Sequence, residues 1–334
     1  MGAIAKQHPI RVVMVGDCAS VGETLIHYAP PYIRYKHLTR TRSVYSKTLG
    51  IALRILLSTG DVYHVHYGLQ DHFLTKILKQ EPTICHLHGS DLRNTIRGPY
   101  GWIVKSNLRT ANKVIVAVPD IFRKAKSYRP DAEYVPNPVN LDLFRPAPFG
   151  NCRKEFRVFF ASALSFVKGA QHFVEQFASY QKASPGSILD IIRYGENQSE
   201  IVELLTKRGV GYKLHEPVSH EAMPSLYYDS DIVVTDLRLG YLHLTSLEAM
   251  ACNRPVLQYI NEKLYSSVGM PIPPVVRVDK SEDLVHQLHR LADQSVRERI
   301  CSEQLAYLRR YHNPTEISKK IAELYHEVIT NRRA

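Results

Sequence analysis

The chain offers little that would tie it to a disulfide scaffold, a bilayer or a dinucleotide fingerprint. Its five cysteines (Cys18, Cys85, Cys152, Cys252 and Cys301) are scattered, odd in number and form no CxxC pair. That excludes a disulfide framework and a zinc knuckle, and it points to a reducing compartment. No window approaches the run of about 18 apolar residues that a membrane-spanning helix needs. The N-terminus lacks the basic-then-apolar layout of a secretory signal, because Lys6, His8 and Arg11 interrupt it. Lys6 also stands where a myristoylation signal after Gly2 requires Ser or Thr. A cytoplasmic protein is expected. A G-x-G-x-x-G motif is missing after the first strand, where Gly16 and Gly22 lie six positions apart, and Glu23 stands where a Walker loop needs Lys. Both absences argue against a dehydrogenase or a P-loop nucleotidase. There is no repeat and no low-complexity tract.

What is present is ordinary globular composition with a basic excess. A length of 334 residues is that of about two domains. With 44% hydrophobic and 22% charged residues, a chain of this size buries a core without disulfides or a structural metal. The net charge is +11, from 43 Lys plus Arg against 32 Asp plus Glu. Such a surface favours phosphorylated substrates, nucleic acid or an acidic leaflet, or has no specific meaning. No recognisable nucleic-acid motif accompanies the charge, so nucleic acid is not an expected partner.

The apolar pattern gives an α/β chain that runs through the same sequence of elements twice. Ile10–Val15 is a short β-branched run stopped by Gly16-Asp17, and Val62–Val65, Thr83–Leu87 and Val114–Val118 follow with helix-length segments between. The Pro-rich Phe144-Arg-Pro-Ala-Pro148 reads as a linker. Strands then recur at Arg157–Ala161, Ile188–Ile192 and Asp231–Val234. Lys168–Tyr180 reads as a helix with Phe173, Phe177 and Tyr180 on one face. Ser281 is a cap for a helix carrying Leu284, Leu288 and Leu291, and Asn313-Pro314 opens a final helix with Ile317, Ile321, Leu324 and Val328 at helical spacing. The expectation is two Rossmann-like domains, with ligands in a cleft at the carboxyl ends of their strands.

Several motifs carry candidate chemistry, each with a plainer reading beside it. The loop Gly16 to Gly22, with Ser20 and Val21, lets backbone approach a ligand ahead of a helix N-terminus, or is only a tight turn. His64-Val-His66 and His86-Leu-His88 each put two imidazoles on one strand face, but no carboxylate or cysteine completes a familiar ligand spacing, so no metal is expected. His88-Gly-Ser-Asp91 ends a strand, so His88 and Asp91 are expected to look into the cleft. Lys168-Gly169 puts a cation at a helix start, an arrangement that favours an intervening anion such as a diphosphate. In Thr245-Ser-Leu-Glu248 a helix start offers backbone N–H groups to phosphate, with Glu248 on the first turn either a ribose acceptor or a stabilising charge. Asp229-Ser-Asp231 reads as a capping turn.

At these residues the chain resembles retaining glycosyltransferases of the GT-B fold, family 4 (glycosyl transferases group 1). The likeness is carried by Tyr134-Val-Pro-Asn-Pro-Val-Asn-Leu-Asp-Leu-Phe144, His88-Gly-Ser-Asp91, Lys168-Gly169 and Leu247-Glu-Ala-Met-Ala-Cys-Asn-Arg-Pro-Val256, the family usually having glycine at Asn253. The resemblance implies two facing Rossmann-like domains with an interdomain cleft: an acceptor domain of residues 1–147, completed by a C-terminal helix at 313–334, and a nucleotide-sugar domain of residues 148–312. It implies transfer from a nucleotide diphosphate-sugar with retention of configuration and without metal or cofactor. Lys168 matches the diphosphate lysine, Glu248 the ribose glutamate, and His88 a histidine near the transferred sugar, with Asp91 beside it. Ser162, Gly169, Arg193, Gly195, Val218, Leu244, Thr245 and Ser246 are the further donor-binding positions, and Gly16, Ser20, Val21 and Gly22 form the acceptor-side loop.

Two positions depart from the family. The first glutamate of its Glu-x(7)-Glu pair is replaced by Gly240, and its arginine by Ala163. Arg193, Arg238 or Arg254 is then required to supply the second positive charge, or the chain is a non-catalytic relative that binds nucleotide-sugar at a membrane. Residues His27 to Lys47 carry Arg34, Lys36, Arg40, Arg42 and Lys47 among Tyr28, Tyr32, Tyr35 and Tyr45, followed by the apolar Leu49–Leu57. Two readings stand there: an interface with the inner face of an anionic membrane, where similar enzymes meet lipid-linked acceptors, or a flexible loop and a core helix. The expected partners are a nucleotide-sugar, a glycan, lipid-linked or small-molecule acceptor, and, on the first of these two readings, an anionic membrane surface.

Overall fold

The computed structural model describes residues 8–40, 49–149, 155–278 and 284–333. The chain divides into two compact units, residues 1–138 with 313–334 and residues 139–312. In the first, strands β1 (Ile10–Val15), β2 (Ile33–Leu38), β3 (Val62–His66), β4 (Thr83–Leu87), β5 (Lys113–Val116) and β6 (Glu133–Tyr134) form a parallel sheet in the order β2-β1-β3-β4-β5-β6. In the second, β7 (Phe156–Phe160), β8 (Ser187–Ile192), β9 (Tyr212–His215), β10 (Ile232–Val234), β11 (Val256–Gln258) and β12 (Val276–Arg277) form another, ordered β12-β11-β10-β7-β8-β9. Helical crossovers cover both faces, which is why the central strands β3, β4 and β5 are buried at every position.

Local chemistry explains the elements. In the second unit Phe160, Phe173 and Phe177 pack with ring centroids 4.8 and 5.6 Å apart, so the helix Ala170–Ala183 is fixed by its aromatic stripe. Each such ring, fully buried, contributes about 1.5–3 kcal/mol. Leu284, Leu288 and Leu291 are buried in the same core, whereas the cap proposed at Ser281 lies outside the described residues. The last helix, Pro314–Arg333, is opened by Asn313, whose side-chain oxygen accepts the Thr315 N–H at 3.0 Å. Its buried Ile317, Ile321, Leu324 and Val328 belong to the first unit.

Two features differ from the sequence reading. Residues 139–147 belong with the second unit, because Phe144 packs on His220 and Tyr227 and the Ala147 carbonyl accepts from Arg254. Part of the basic-aromatic segment is not a loop but the edge strand β2, paired in register with β1 from Ile33 opposite Ile10 to Leu38 opposite Val15. Its Arg34 and Lys36 are exposed while Tyr35 turns inward to Tyr325. Arg42, Tyr45 and Lys47 lie outside the described residues.

Candidate active site

In an open parallel sheet a ligand binds where adjacent strands send their chains in opposite directions. In the second unit that point lies between β7 and β10, since the chain leaves β7 towards β8 and β9 and leaves β10 towards β11 and β12. The loops following these two strands hold most of the expected donor residues. After β7, Ser165 caps a short 3-10 turn, Phe166–Lys168, by accepting the Val167 N–H. Lys168 therefore sits two residues before the helix Ala170–Ala183, and its carbonyl accepts the Leu237 N–H from the loop after β10 at 3.1 Å. The Lys168 ammonium lies 3.0 Å from Nε2 and 3.2 Å from Nδ1 of His243. His243 Nε2 in turn is 3.1 Å from the carboxylate of Asp236. Burial alone would raise the pKa of Asp236. The hydrogen bond and charge of His243, with the charge of Lys168, hold it below the usual carboxylate value instead.

His243 also stands at the start of the helix Leu244–Ala251, which no side chain caps. The Ser246 and Leu247 N–H groups bond to the His243 carbonyl, while those of Leu244 and Thr245 precede any intrahelical acceptor. Such a start attracts an anion. Ser246 does not present its hydroxyl there: it is buried and bonded to Thr235 and to Gln258 at 2.6 Å. Glu248 lies on the second turn, not the first. It is buried, with His220 Nε2 2.8 Å from one carboxylate oxygen and the Tyr227 hydroxyl donating to the other at 2.8 Å.

In the first unit the strand directions diverge between β1 and β3. A cavity of about 390 Å³ opens at that point, lined by Gly16, Asp17, Arg40, His66, Tyr67 and Asp71 among others. The acceptor-side loop is arranged differently from the expectation of free amides. Asp17 accepts the Gly22 N–H at 2.8 Å and the Glu23 N–H at 3.1 Å, so its carboxylate already occupies the helix start, and Ser20 takes a left-handed conformation with no capping bond. Val21 is buried. His88 ends β4 partly exposed, hydrogen-bonded through Nε2 to His66 Nδ1 at 2.9 Å. Burial holds its imidazole well below the ordinary value, reinforced by His66 and His64. Asp91 does not look outwards. It is fully buried and accepts the amides of Gly68, His88, Gly89 and Leu92, so it fixes the turn that carries His88.

Residues 155–294 match the family described as glycosyl transferases group 1. Among solved structures the chain is similar to a sucrose-phosphate synthase from Thermosynechococcus elongatus, with a TM-score of 0.71 at 16% identity over 96% of this chain and 100% of that one. It is also similar to a UDP-forming alpha,alpha-trehalose-phosphate synthase from Burkholderia vietnamiensis, with a TM-score of 0.69 at 12% identity over 98% and 100%. A mutant of S. aureus TarM in complex with fondaparinux, alpha-GlcNAc-glycerol and UDP gives 0.62 at 12% identity, over 83% of this chain and 58% of that one. The chain has the GT-B fold. No curated protein matches the sequence significantly.

Of the two departures, the one at Gly240 has a structural explanation. Gly240 takes a left-handed φ of 82°, and a Cβ there would stand 2.7 Å from Asn261 Cβ and 2.8 Å from its N. No side chain fits where the family carries its first glutamate. The loop is instead pinned by Asp236, which accepts the amides of Arg238, Leu239 and Gly240. Of the three arginines offered as replacements for the one missing at Ala163, Arg254 is excluded. Its guanidinium is buried on the carbonyls of Tyr227, Ala147, Asn253, Pro148 and Tyr228 and stacks 4.8 Å from the Phe149 ring. Arg193 is exposed in an ion pair with Glu216. Arg238 is exposed and lies along Gly169, its Cγ 3.5 Å from the place a Cβ would occupy.

The remaining donor positions frame this loop pair. Ser162 is half-buried after β7, and Val218 is exposed after β9. Gly195, with φ 133°, comes so close to Leu164 that a Cβ would lie 2.5 Å from its N. Asn253, with φ 60°, occupies a left-handed helix terminus, which explains why asparagine can stand where the family has glycine. Asp229 is the residue that ends the helix Met223–Tyr228, while the Asp231 carboxylate accepts the Arg157 N–H of β7 rather than capping a helix. His243, Asp236 and His220 escaped the sequence reading. Their only signal was position at strand ends or helix starts, and their partners are 7 to 75 residues away in sequence.

Proposed function

We propose that the chain transfers a sugar from a nucleotide diphosphate-sugar to an acceptor, with retention of anomeric configuration. The observation that carries this reading is the β7/β10 switch point, where Lys168, Arg238 and the uncapped start of Leu244–Ala251 gather positive charge on two adjacent loops. A departing diphosphate is stabilised by such fixed positive groups, so transfer requires no metal. His243 and Asp236 hold the Lys168 ammonium in place. Glu248, oriented by His220 and Tyr227, keeps lone pairs for the ribose hydroxyls. UDP-forming and UDP-bound proteins among the similar structures make a uridine donor the first to test. His88 is assigned to the transferred sugar, as the family likeness implies.

The acceptor in this reading is a glycan or a lipid-linked sugar met at an anionic surface. Leu49, Leu53 and Leu56 are 76, 55 and 50% exposed on the helix Leu49–Leu56, which packs against β2, and Leu57 just after it is 70% exposed; Arg34 and Lys36 of β2 also face solvent. Sedimentation with anionic vesicles tests this. Binding that a Leu53→Glu, Leu57→Glu double variant weakens at least about tenfold supports it, at roughly 1.4 kcal/mol; absence of sedimentation sinks it.

Turnover is tested by incubating the chain with UDP-, GDP- and ADP-sugars without added divalent cation and measuring nucleoside diphosphate release. One donor consumed, with an axial or equatorial product linkage matching the donor, supports retaining transfer. A nucleotide that binds but is never released from its sugar favours the non-catalytic alternative.

A further inference from the structure

The sequence reading passed over the paired histidines for want of a carboxylate or cysteine. The fold brings them together in a way the sequence spacing does not display. Parallel pairing sets His66 opposite His86, and alternation puts His64 on the same face as His66 and His88 on the same face as His86. The rings of His64 and His66 stack at 4.9 Å and 2°, those of His66 and His88 at 5.0 Å and 8°. His64, His66 and His86 each offer one nitrogen, all within 4.8 Å of one another.

From this geometry we propose that the chain binds a divalent transition cation of the zinc type through His64, His66 and His86. The separation of His64 Nε2 from His86 Nδ1 is 3.1 Å. Two nitrogens about 2.0–2.1 Å from one zinc ion at a tetrahedral angle stand about 3.3 Å apart, so a small adjustment admits the ion. His66 Nε2 and His86 Nε2 are buried without a partner among the described residues. Of the two, His66 Nε2 is the nitrogen left for the ion, and an orphaned buried polar atom of this kind is uncommon in folded proteins.

Neighbouring groups orient two of the rings as metal ligands require. The Tyr325 hydroxyl, itself 3.2 Å from that of Tyr35, lies 2.6 Å from His64 Nδ1. A proton held on that nitrogen leaves Nε2 as the ligand atom. His88 Nε2 engages His66 Nδ1 at 2.9 Å and frees the other side of that ring in the same way. An all-nitrogen donor set selects borderline cations over Mg2+ or Ca2+, whose preference is oxygen. Access is provided by the cavity at the β1/β3 switch point, which His66 lines. The ion would hold the ends of β3 and β4 and set the ring that bonds His88; no step of sugar transfer is assigned to it.

The test is titration of the full, tag-free chain with ZnCl2 after chelator treatment, followed by calorimetry, with MgCl2 as control. The proposal expects one zinc ion per chain, no magnesium binding, and at least tenfold weaker zinc binding in His66→Gln and His86→Gln. The His72→Leu variant, which removes a buried histidine outside the cluster, retains full affinity. Because the glutamine variants can lose the fold, X-ray absorption on the zinc-loaded wild-type chain supplies an independent measure. A first shell of three imidazoles supports the site. Zinc held by carboxylate or thiolate, zinc affinity unchanged in both folded glutamine variants, or no zinc binding at all would overturn it and leave a stack of hydrogen-bonded neutral imidazoles.

Discussion

Lys168 and Arg238 are the two cations beside Gly169, yet only the lysine was legible in the sequence as a helix-start charge. Arg238 had equal standing with Arg193 and Arg254 until the structure buried Arg254, paired Arg193 with Glu216 and laid the stem of Arg238 along Gly169. Arg254 is enclosed by carbonyls, and so its role is to tie Ala147 and Pro148 to the end of the helix Leu244–Ala251. We expect Lys168→Ala and Arg238→Ala each to lower kcat/KM for the nucleotide-sugar at least about tenfold, near 1.4 kcal/mol of transition-state binding, with the fold intact. Initial rates over a donor titration check this, and unchanged values in both would remove the diphosphate from this loop pair. Gly240 gives a complementary test of backbone. An alanine there meets a left-handed φ and the backbone of Asn261, and should cost roughly 1–3 kcal/mol of stability. Urea unfolding reads this directly; a midpoint equal to wild type would contradict the steric account of the missing glutamate.

Among the elements, the strands β1, β4 and β8 were legible because β-branched and aliphatic runs of strand length have few other uses. The edge strand β2 was not. Its Ile-Arg-Tyr-Lys-His-Leu sequence does alternate, but its basic residues drew the reading towards a membrane interface or a flexible loop. Short strands such as β6 and β12, two residues each, carry no periodic signal at all. The helix Gln70–Ile77 shows a further property hidden from sequence, a fully buried His72. Burial holds this imidazole down from 6.5 to about 4, with the charge of Lys76 adding to the shift. A depressed value in the folded state means that the neutral ring is accommodated above pH 6.5, and that stability is lost progressively as pH falls from there towards about 4. Across that window the loss from this residue amounts to about 3 kcal/mol. The stability difference between wild type and His72→Leu should therefore be constant above neutrality and shift in favour of the leucine variant on acidification. Denaturant midpoints measured at successive pH values check it; a difference independent of pH would show that His72 charges freely in the folded chain.

For the molecule as a whole, the doubly wound order of the second sheet fixes where a ligand binds before any side chain is considered. The sequence conveyed that two such units exist, because strand and helix patterns restart after the Pro-rich segment. It did not convey that residues 139–147 pack with the second unit, since Phe144 owes its position to His220 and Tyr227, some 80 residues further on. Motif order identified Lys168 and Glu248. The partners that orient them, His243, Asp236, His220 and Tyr227, emerge only when the loops after β7 and β10 and the helix Leu244–Ala251 are assembled.

The central claim is that this second unit holds the diphosphate of a nucleotide-sugar, and thermal unfolding of the full chain with UDP, GDP, ADP and CMP tests it most directly. A nucleoside diphosphate at about 100 times its dissociation constant adds about 2.7 kcal/mol of stability to the state that binds it. The account predicts a raised Tm with one of the three diphosphates, a smaller effect of CMP, and loss of the shift in Lys168→Ala. A Tm that none of the four nucleotides moves, or a shift that survives intact in Lys168→Ala, would contradict it.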